Sequence, residues 1–321
     1  MSDLLRLFID ADFYVMLLQL ATPLIFAALA ALFSDRAGVI NISIEGTMLV
    51  AALAGAIFST MTGNGYVGIL MAVVIGIAMG YVFALCVLYL KADNILTGIA
   101  LNLFCAGLAI LVVYAITGNK SDYPSVAIAS FSIPLLKDIP FIGKILFQDI
   151  DVLTYIAIIL VFASAYVFKK TVLGLRIRSV GKNEQAAASV GINPNKVKTI
   201  ALVIAGGLAG LGGAYMSLGY MSSFNTGMIA GRGFIGLAAE AIGGGNPYLT
   251  ALFALLFGAV NALSLTAQTF SSVSIPYELL NTLPYIVTII GMVVYAMVKI
   301  RKAKKRRIVK KEAKYEKSLG D

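Results

Sequence analysis

Several residue types that commonly do covalent or metal chemistry are missing from this 321-residue sequence or sit in unusable contexts. There is no histidine, which removes H-E-x-x-H zinc sites, Ser-His-Asp triads and imidazole proton relays. Cys86 and Cys105 lie inside apolar runs without C-x-x-C spacing and read as small core hydrophobes. The pattern G-x-x-x-x-G-K-[ST] is absent too, because six residues separate Gly174 from Gly181-Lys182 and Asn183 follows the lysine. Without a P-loop the chain has no such means of hydrolysing ATP. What remains is a handful of carboxylates and amides in apolar surroundings: Asn41, Ser43 and Glu45 at two-residue intervals, Asn102 in a later run, and Glu240 in another. An ionisable group in such a run is costly and marks a functional position by default. These groups can bind a solute; no catalytic residue, metal or cofactor is expected.

The elements that hold them must be membrane helices. The AVILMFWYC fraction is 60%, and exchanging the 15 tyrosines for the 31 glycines brings it to roughly 65% on the usual apolar count, against about 45 to 50% in soluble domains. Charged residues make up only 13% and mean hydropathy is +0.91. A water-soluble fold is excluded, and an all-α, polytopic membrane helical bundle is predicted, with about 8–10 spans. The formal charge of +9 belongs almost wholly to the end of the chain, where residues 299–321 hold 11 Lys or Arg and three Asp or Glu. A basic stretch directly after an apolar span sets topology by the positive-inside rule. Nothing interleaves it with aromatic residues, and no nucleic-acid partner is expected. The N-terminus, with Asp3, Arg6, Asp10 and Asp12, lacks the pattern of a cleaved signal peptide.

Eight segments are long and apolar enough to span: Phe13–Ser34, Ala37–Thr60, Tyr66–Leu90, Ile95–Gly118, Val152–Phe168, Thr199–Met221, Tyr248–Ser271 and Thr282–Val298. A ninth, Phe234–Gly243, is too short to cross unaided and runs into Gly243-Gly244-Gly245-Asn246-Pro247. A broken or re-entrant segment is predicted there. The stretch 169–198 carries seven basic residues against Glu184, and reads as cytoplasmic; the stretch 119–151, with three Lys and four Asp, reads as external. With the basic tail also inside, parity requires the short piece to complete a crossing. Nine crossings follow, with the N-terminus outside and the C-terminus inside, unless Ala37–Thr60 is itself re-entrant. Gly76 and Gly80, and the glycines at 206, 207, 210, 212 and 213, predict close helix contact.

Three motifs carry the rest. In the inner loop Asn183 is placed to cap a helix of about two turns, Glu184 lies in its first turn, Gly191 can close it, and Asn193-Pro194 opens the next helix. Such a rod either fits a groove on a soluble partner or lies on the membrane as a plain connector. The alternation of Asn41, Ser43 and Glu45 fits an extended or broken entry into the second span, where Glu45 either satisfies freed backbone groups or lines a path. The Gly-rich stretch 227–233 before the short segment either cradles an anion at a helix N-terminus or simply permits a sharp turn. Asn261, Gln268, Tyr81 and Tyr114 join Asn102 as polar groups within spans, and no intramembrane Lys or Arg is present to hold a carboxylate or phosphate. A neutral polar solute is favoured.

These motifs bear a family likeness. Glu184-Gln-Ala-Ala-Ala-Ser-Val-Gly191-Ile192 is similar to the E-A-A-x-x-x-G coupling motif of ATP-binding-cassette permeases, and Gly174–Asn183 looks like the lead-in of the importer group for branched-chain amino acids, ribose and nucleosides. Gly38-Val-Ile-Asn-Ile-Ser-Ile-Glu45-Gly46 and Ala230-Gly-Arg-Gly-Phe-Ile resemble strings of the nucleoside and simple-sugar permeases, with Glu240 a departure from the apolar residue expected there. The resemblance implies a permease domain over 1–298 with a coupling loop at 169–198, and a cytoplasmic tail over 299–321. It assigns coupling to Gly181, Glu184, Ala187, Ala188, Gly191 and Ile192, and a substrate path past Asn41, Ser43, Glu45, Asn102 and Glu240. It further implies a bacterial plasma membrane, a separate cytoplasmic ATP-binding subunit, a second homologous permease subunit, an external solute-binding lipoprotein and a nucleoside as cargo. Ribose, galactose or branched-chain amino acids are the alternatives within the class; an ion-coupled carrier is the alternative outside it.

Overall fold

The computed structural model describes residues 11–118, 121–128, 130–131 and 150–269, together with isolated positions between 282 and 297. In chain order, α1 (Ala11–Arg36), α2 (Ile44–Thr62), α3 (Gly65–Ala84) and α4 (Asn94–Thr117) are followed by strands β1 (Asp122–Pro124), β2 (Ser130–Phe131) and β3 (Ile150–Asp151). Then come α5 (Val152–Lys170), α6 (Val172–Lys182), α7 (Glu184–Ser189), α8 (Pro194–Ala214), β4 (Ser223–Asn225), α9 (Arg232–Gly243) and α10 (Pro247–Thr269). Single π-helical turns extend α3 through Tyr89 and α8 through Tyr220. Seven helices among the described residues are long and apolar enough to cross a membrane: α1 to α5, α8 and α10. The predicted span Thr282–Val298 is described only at isolated positions, and the basic tail 299–321 lies outside the described residues. The protein is a multi-pass, essentially all-α bundle; its strands are two short antiparallel ribbons, β1 with β4 and β2 with β3.

The α1 helix is the centre of the bundle. Sixteen of its residues are buried, including the run Leu20 to Ser34, and α8, α9 and α10 all pack on it. A helix apolar all round is what a central position requires, since it has no lipid-facing or wet face. By contrast α4 is mostly exposed, with Leu96, Leu103 and Leu111 on its surface, as expected of a helix at the periphery of a membrane protein.

Two ends of the bundle are defined by contacts. At one, Val126 donates to Ser59 Oγ, Ser125 to the Ser217 carbonyl, and Thr60 to the Pro124 carbonyl, so the ribbon β1–β4 caps α2 and α8. At the other, the last turn of α1 meets the loop helices: a Cβ on Gly181 would strike the Arg36 carbonyl. We refer to these as the ribbon end and the loop end.

Two departures from the sequence reading matter. Ala37–Thr60 is not helical from its start: residues 37–43 form turns and extended backbone, and α2 begins only at Ile44. The short segment Phe234–Gly243 begins two residues earlier, as the 12-residue α9. At 1.5 Å per residue α9 covers about 18 Å of the about 30 Å hydrocarbon core. The rest of that crossing is non-helical chain between β4 at the ribbon end and Gly231. The two departures are one event, because both non-helical stretches lie where Glu45 meets Gly231 and Gly233.

The glycine pattern acts as its spacing predicts. The most extensive helix pair is α3 with α8, where Gly76 lies against Gly206 so closely that a Cβ on either would strike the other's carbonyl oxygen, while a Cβ on Gly207 would make ordinary contact with the Ile77 and Val73 side chains at 3.4 Å and beyond. Gly206→Ala is therefore expected to destabilise the protein by about 1 to 3 kcal/mol through forced helix separation, and Gly207→Ala to change it little. Denaturant titration of the two variants in detergent checks the contrast; equal stabilities would refute the packing argument.

Candidate functional site

Water is scarce inside a bilayer, so a break in a helix there leaves N–H and C=O groups that protein must satisfy. Residues 37–43, which join α1 to α2, are non-helical, and Asn41, Ser43 and Asn102 supply the hydrogen bonds there. Asn41 Oδ1 accepts from the Ser43 amide at 3.1 Å and from Ser43 Oγ at 2.6 Å, closing a turn in which both side chains are buried. Asn102, reaching across from α4, accepts from the Gly46 amide at 2.8 Å and donates to the Ile42 carbonyl at 3.0 Å. It thereby does for the backbone what the missing helical turn would have done.

Glu45 holds the second break. Its Oε1 accepts from the Gly231 amide and its Oε2 from the Gly233 amide, each at 2.7 Å, while the Arg232 charge lies beside it. The first amides of a helix are unpaired and carry the positive end of its dipole, which favours an anion. The Gly-rich stretch before α9 does therefore cradle an anion, and the anion is a side chain of this same chain. A side chain on Gly233 would collide with the Glu45 backbone, which accounts for the glycine there.

Glu240 lies toward the other end of α9 from Gly233. It lines a cavity of about 400 Å³ together with Asp35 and Asn41. Asp35, Arg36 and the Gly245 amide surround its carboxyl group. Arg36 in turn donates to the Gly245 carbonyl, through Nε at 2.7 Å and through Nη2, at a glycine whose φ of +75° suits no bulkier residue. Tyr81, Tyr114, Asn261 and Gln268 do not line this cavity, and Tyr81 and Tyr114 lie on the outer surface of the bundle.

At the loop end the short rod is built as its sequence predicts. Asn183 caps α7 by accepting from the Ala186 amide at 3.0 Å, and Gly191, at φ +82°, turns the chain out of it. Asn193 caps α8 through the Lys196 amide, with Pro194 in its first turn. Of the six positions assigned to coupling, Glu184, Ala188 and Gly191 are exposed, Ala187 is buried, Ile192 is partly buried against the core, and Gly181 is the close-approach point to α1. Sequence reading missed α6, which Thr171 caps by accepting from the Gly174 amide at 3.1 Å and which buries Gly174, Ile177 and Val180. The signal was present as an N-cap followed by apolar residues three apart. It also missed the ion pair between Lys198 and Glu184, at 2.6 Å, which ties α7 to α8; the separation of the two residues along the chain hid it.

Glu45→Gln is expected to keep one acceptor while turning an amide donor toward the other N–H, at a cost of about 1 to 3 kcal/mol; Glu45→Leu, which leaves both N–H groups unpaired, should cost more. Unfolding titrations and solute uptake together check this, and a Glu45→Leu protein of wild-type stability would show that the clamp contributes nothing.

The family described as branched-chain amino acid transport system / permease component matches residues 13–298. Among curated proteins, the chain is 33% identical over 282 residues to the nucleoside ABC transporter permease protein NupC of Lactococcus lactis, covering 86% of this chain and 89% of the relative. It is 34% identical over 280 residues to the guanosine ABC transporter permease protein NupQ of Bacillus subtilis, covering 85% and 88%. It is also 28% identical over 247 residues to the glucose ABC transporter permease protein TsgB13 of Haloferax volcanii, covering 74% and 65%. No solved structure matches the chain significantly. A bundle of apolar spans with one broken crossing, matched along nearly all its length by permeases, belongs to the branched-chain amino acid transport system permease component family of ABC transporters.

Proposed function

We propose that the chain forms the membrane path of an ATP-driven importer of nucleosides in a bacterial plasma membrane. The observation that carries the mechanical half of this reading is α7: a rod capped at both ends, pinned to α8 through Glu184 and Lys198, with an exposed face at the basic end of the bundle. The names of NupC and NupQ support the cargo. Basic loops collect on the cytoplasmic side, so the loop end faces the cytoplasm, the ribbon end faces out, and the tail 299–321 lies inside. A separate ATP-binding subunit grips Glu184 to Ile192 and supplies the hydrolysis for which this chain has no P-loop. A second permease subunit of the same family completes the path, and an external lipoprotein delivers solute at the ribbon end.

The contacts at the loop end define how force would travel. Gly181 lies against the Arg36 backbone, Arg36 holds Gly245 at the end of α9, and Glu45 holds the start of α9. A push on α7 would reach α9 by way of Gly181, Arg36 and the Gly244-Gly245 turn that follows α9. Transport then requires that solute bind the two arrangements of the path with different affinity. A sugar as cargo is the second reading, favoured by the name of the Haloferax relative.

Two measurements test the proposal. Uptake of labelled guanosine or uridine by the assembled importer should be competed by nucleosides and not by glucose, ribose or leucine; the reverse pattern overturns the cargo. Ala188→Trp, on the exposed face of α7, should leave stability within about 0.5 kcal/mol and abolish ATP-driven accumulation. Unimpaired accumulation by that variant, or uptake by this chain alone on an ion gradient, overturns the coupling role.

A further inference from the structure

Two glycines fix the setting of α6. A Cβ on Gly174 would strike the Val167 carbonyl oxygen in the last turn of α5, and a Cβ on Gly181 would strike the Arg36 carbonyl oxygen that ends α1. Helix carbonyls point toward the C-terminus, which in α1 and α5 is the loop end, so α6 lies across the ends of both helices. The stretch from Gly174 to Gly181 covers about 10 Å of its axis. At about 100° per residue, Val172, Arg176 and Ser179 fall on the side of α6 opposite the glycines, with Leu175 and Lys182 on its flank. That side is turned away from the membrane.

What this side displays is apolar and basic. Val172 is 65% exposed and Leu175 57%. Arg176 and Lys182 are exposed as well, and neither has an ion pair among the described residues. No acid occurs between 152 and 198 other than Glu184, which Lys198 holds. The face continues into α7 through an open groove of about 610 Å³, lined by Lys182, Asn183, Glu184, Gln185, Ala188 and Pro194. A body seated on the exposed side of α7 therefore also meets the end of α6.

Exposed apolar side chains flanked by unpaired charge of one sign suit a protein partner of opposite charge. The bilayer lies on the glycine side of α6. The tail 299–321, with 11 Lys or Arg, and a second copy of this loop would each bring basic groups to a basic face. We propose that α6 and α7 form one docking face for the ATP-binding subunit, with Val172 and Leu175 as its apolar contacts and Arg176 and Lys182 paired with carboxylates of the partner. The proposal rests on the coupling reading above; it extends the contact beyond Glu184 to Ile192 and gives the partner an acidic surface. A subunit seated on α6 presses on α1 directly, at Gly181.

Binding of the purified ATP-binding subunit to the assembled permease is followed by surface plasmon resonance, in nanodiscs of zwitterionic lipid and in nanodiscs containing anionic lipid, at low salt and at about 0.5 M salt. Wild-type association should slow as salt rises. The double variant Arg176→Glu, Lys182→Glu should associate about tenfold more slowly at low salt and match the wild type at high salt, as charges at the rim of an interface do. Leu175→Ser, at an exposed position that leaves the fold intact, should weaken binding about fivefold or more at both salt concentrations. If the subunit does not bind the wild type, the coupling reading fails and this inference with it. If it binds, and both α6 variants bind as the wild type does, the docking role of α6 alone is refuted. Weakening confined to nanodiscs with anionic lipid assigns the face to lipid and refutes it equally.

Discussion

A carboxyl group bonded to two backbone amides, joining the start of α2 to the start of α9, is the interaction on which the fold depends. Two stretches of this chain leave the helical state at the same place, 37–43 before α2 and the residues leading to Gly231 before α9. Each would strand polar backbone in a medium that offers no solvent to receive it. Glu45 resolves the second break from a position immediately after the first, and Asn102 braces the first from α4. A regular pair of helices would have needed neither residue. Residues 39–42 of the first break line a cavity together with Phe234, Leu237 and Glu240 of α9.

Around this irregular centre the packing is close. The α3–α8 seam brings backbones together through paired glycines, and α1 is buried through most of its length. Helix association in lipid gains little from the hydrophobic effect and relies on close contact instead, so small residues supply cohesion in the outer shell while polar side chains supply it within.

Much of this was legible in the amino-acid order, and the limits of legibility have physical causes. Spans were readable because about 20 apolar residues in a row match the thickness of hydrocarbon and would be insoluble on the surface of a water-exposed fold; the caps at Asn183 and Asn193 were readable because capping is local chemistry. The alternation of Asn41, Ser43 and Glu45 announced an irregular entry, although not that helix would be delayed to Ile44. What a linear reading could not supply was partnership across the chain. Glu45 with Gly231 and Arg36 with Gly245 are pairs from opposite ends of the described chain, and no periodicity encodes such pairs. The sequence left open whether the Gly-rich turn cradles an anion or only permits a bend, and the carboxyl group it holds stands 186 residues upstream. Asn102 and Glu240 both read as polar intruders in apolar runs; only the structure shows that Asn102 is bonded to the backbone at Ile42 and Gly46 while Glu240 lies beside Asp35 and Arg36.

The half-helix α9 is fastened at both extremities through its main chain: amides at Gly231 and Gly233, a carbonyl at Gly245. Neither fastening consults the side chains in between. Replacing residues along its cavity-facing stripe would thus leave the mounting undisturbed, so the walls of the cavity are free to vary on a standing frame.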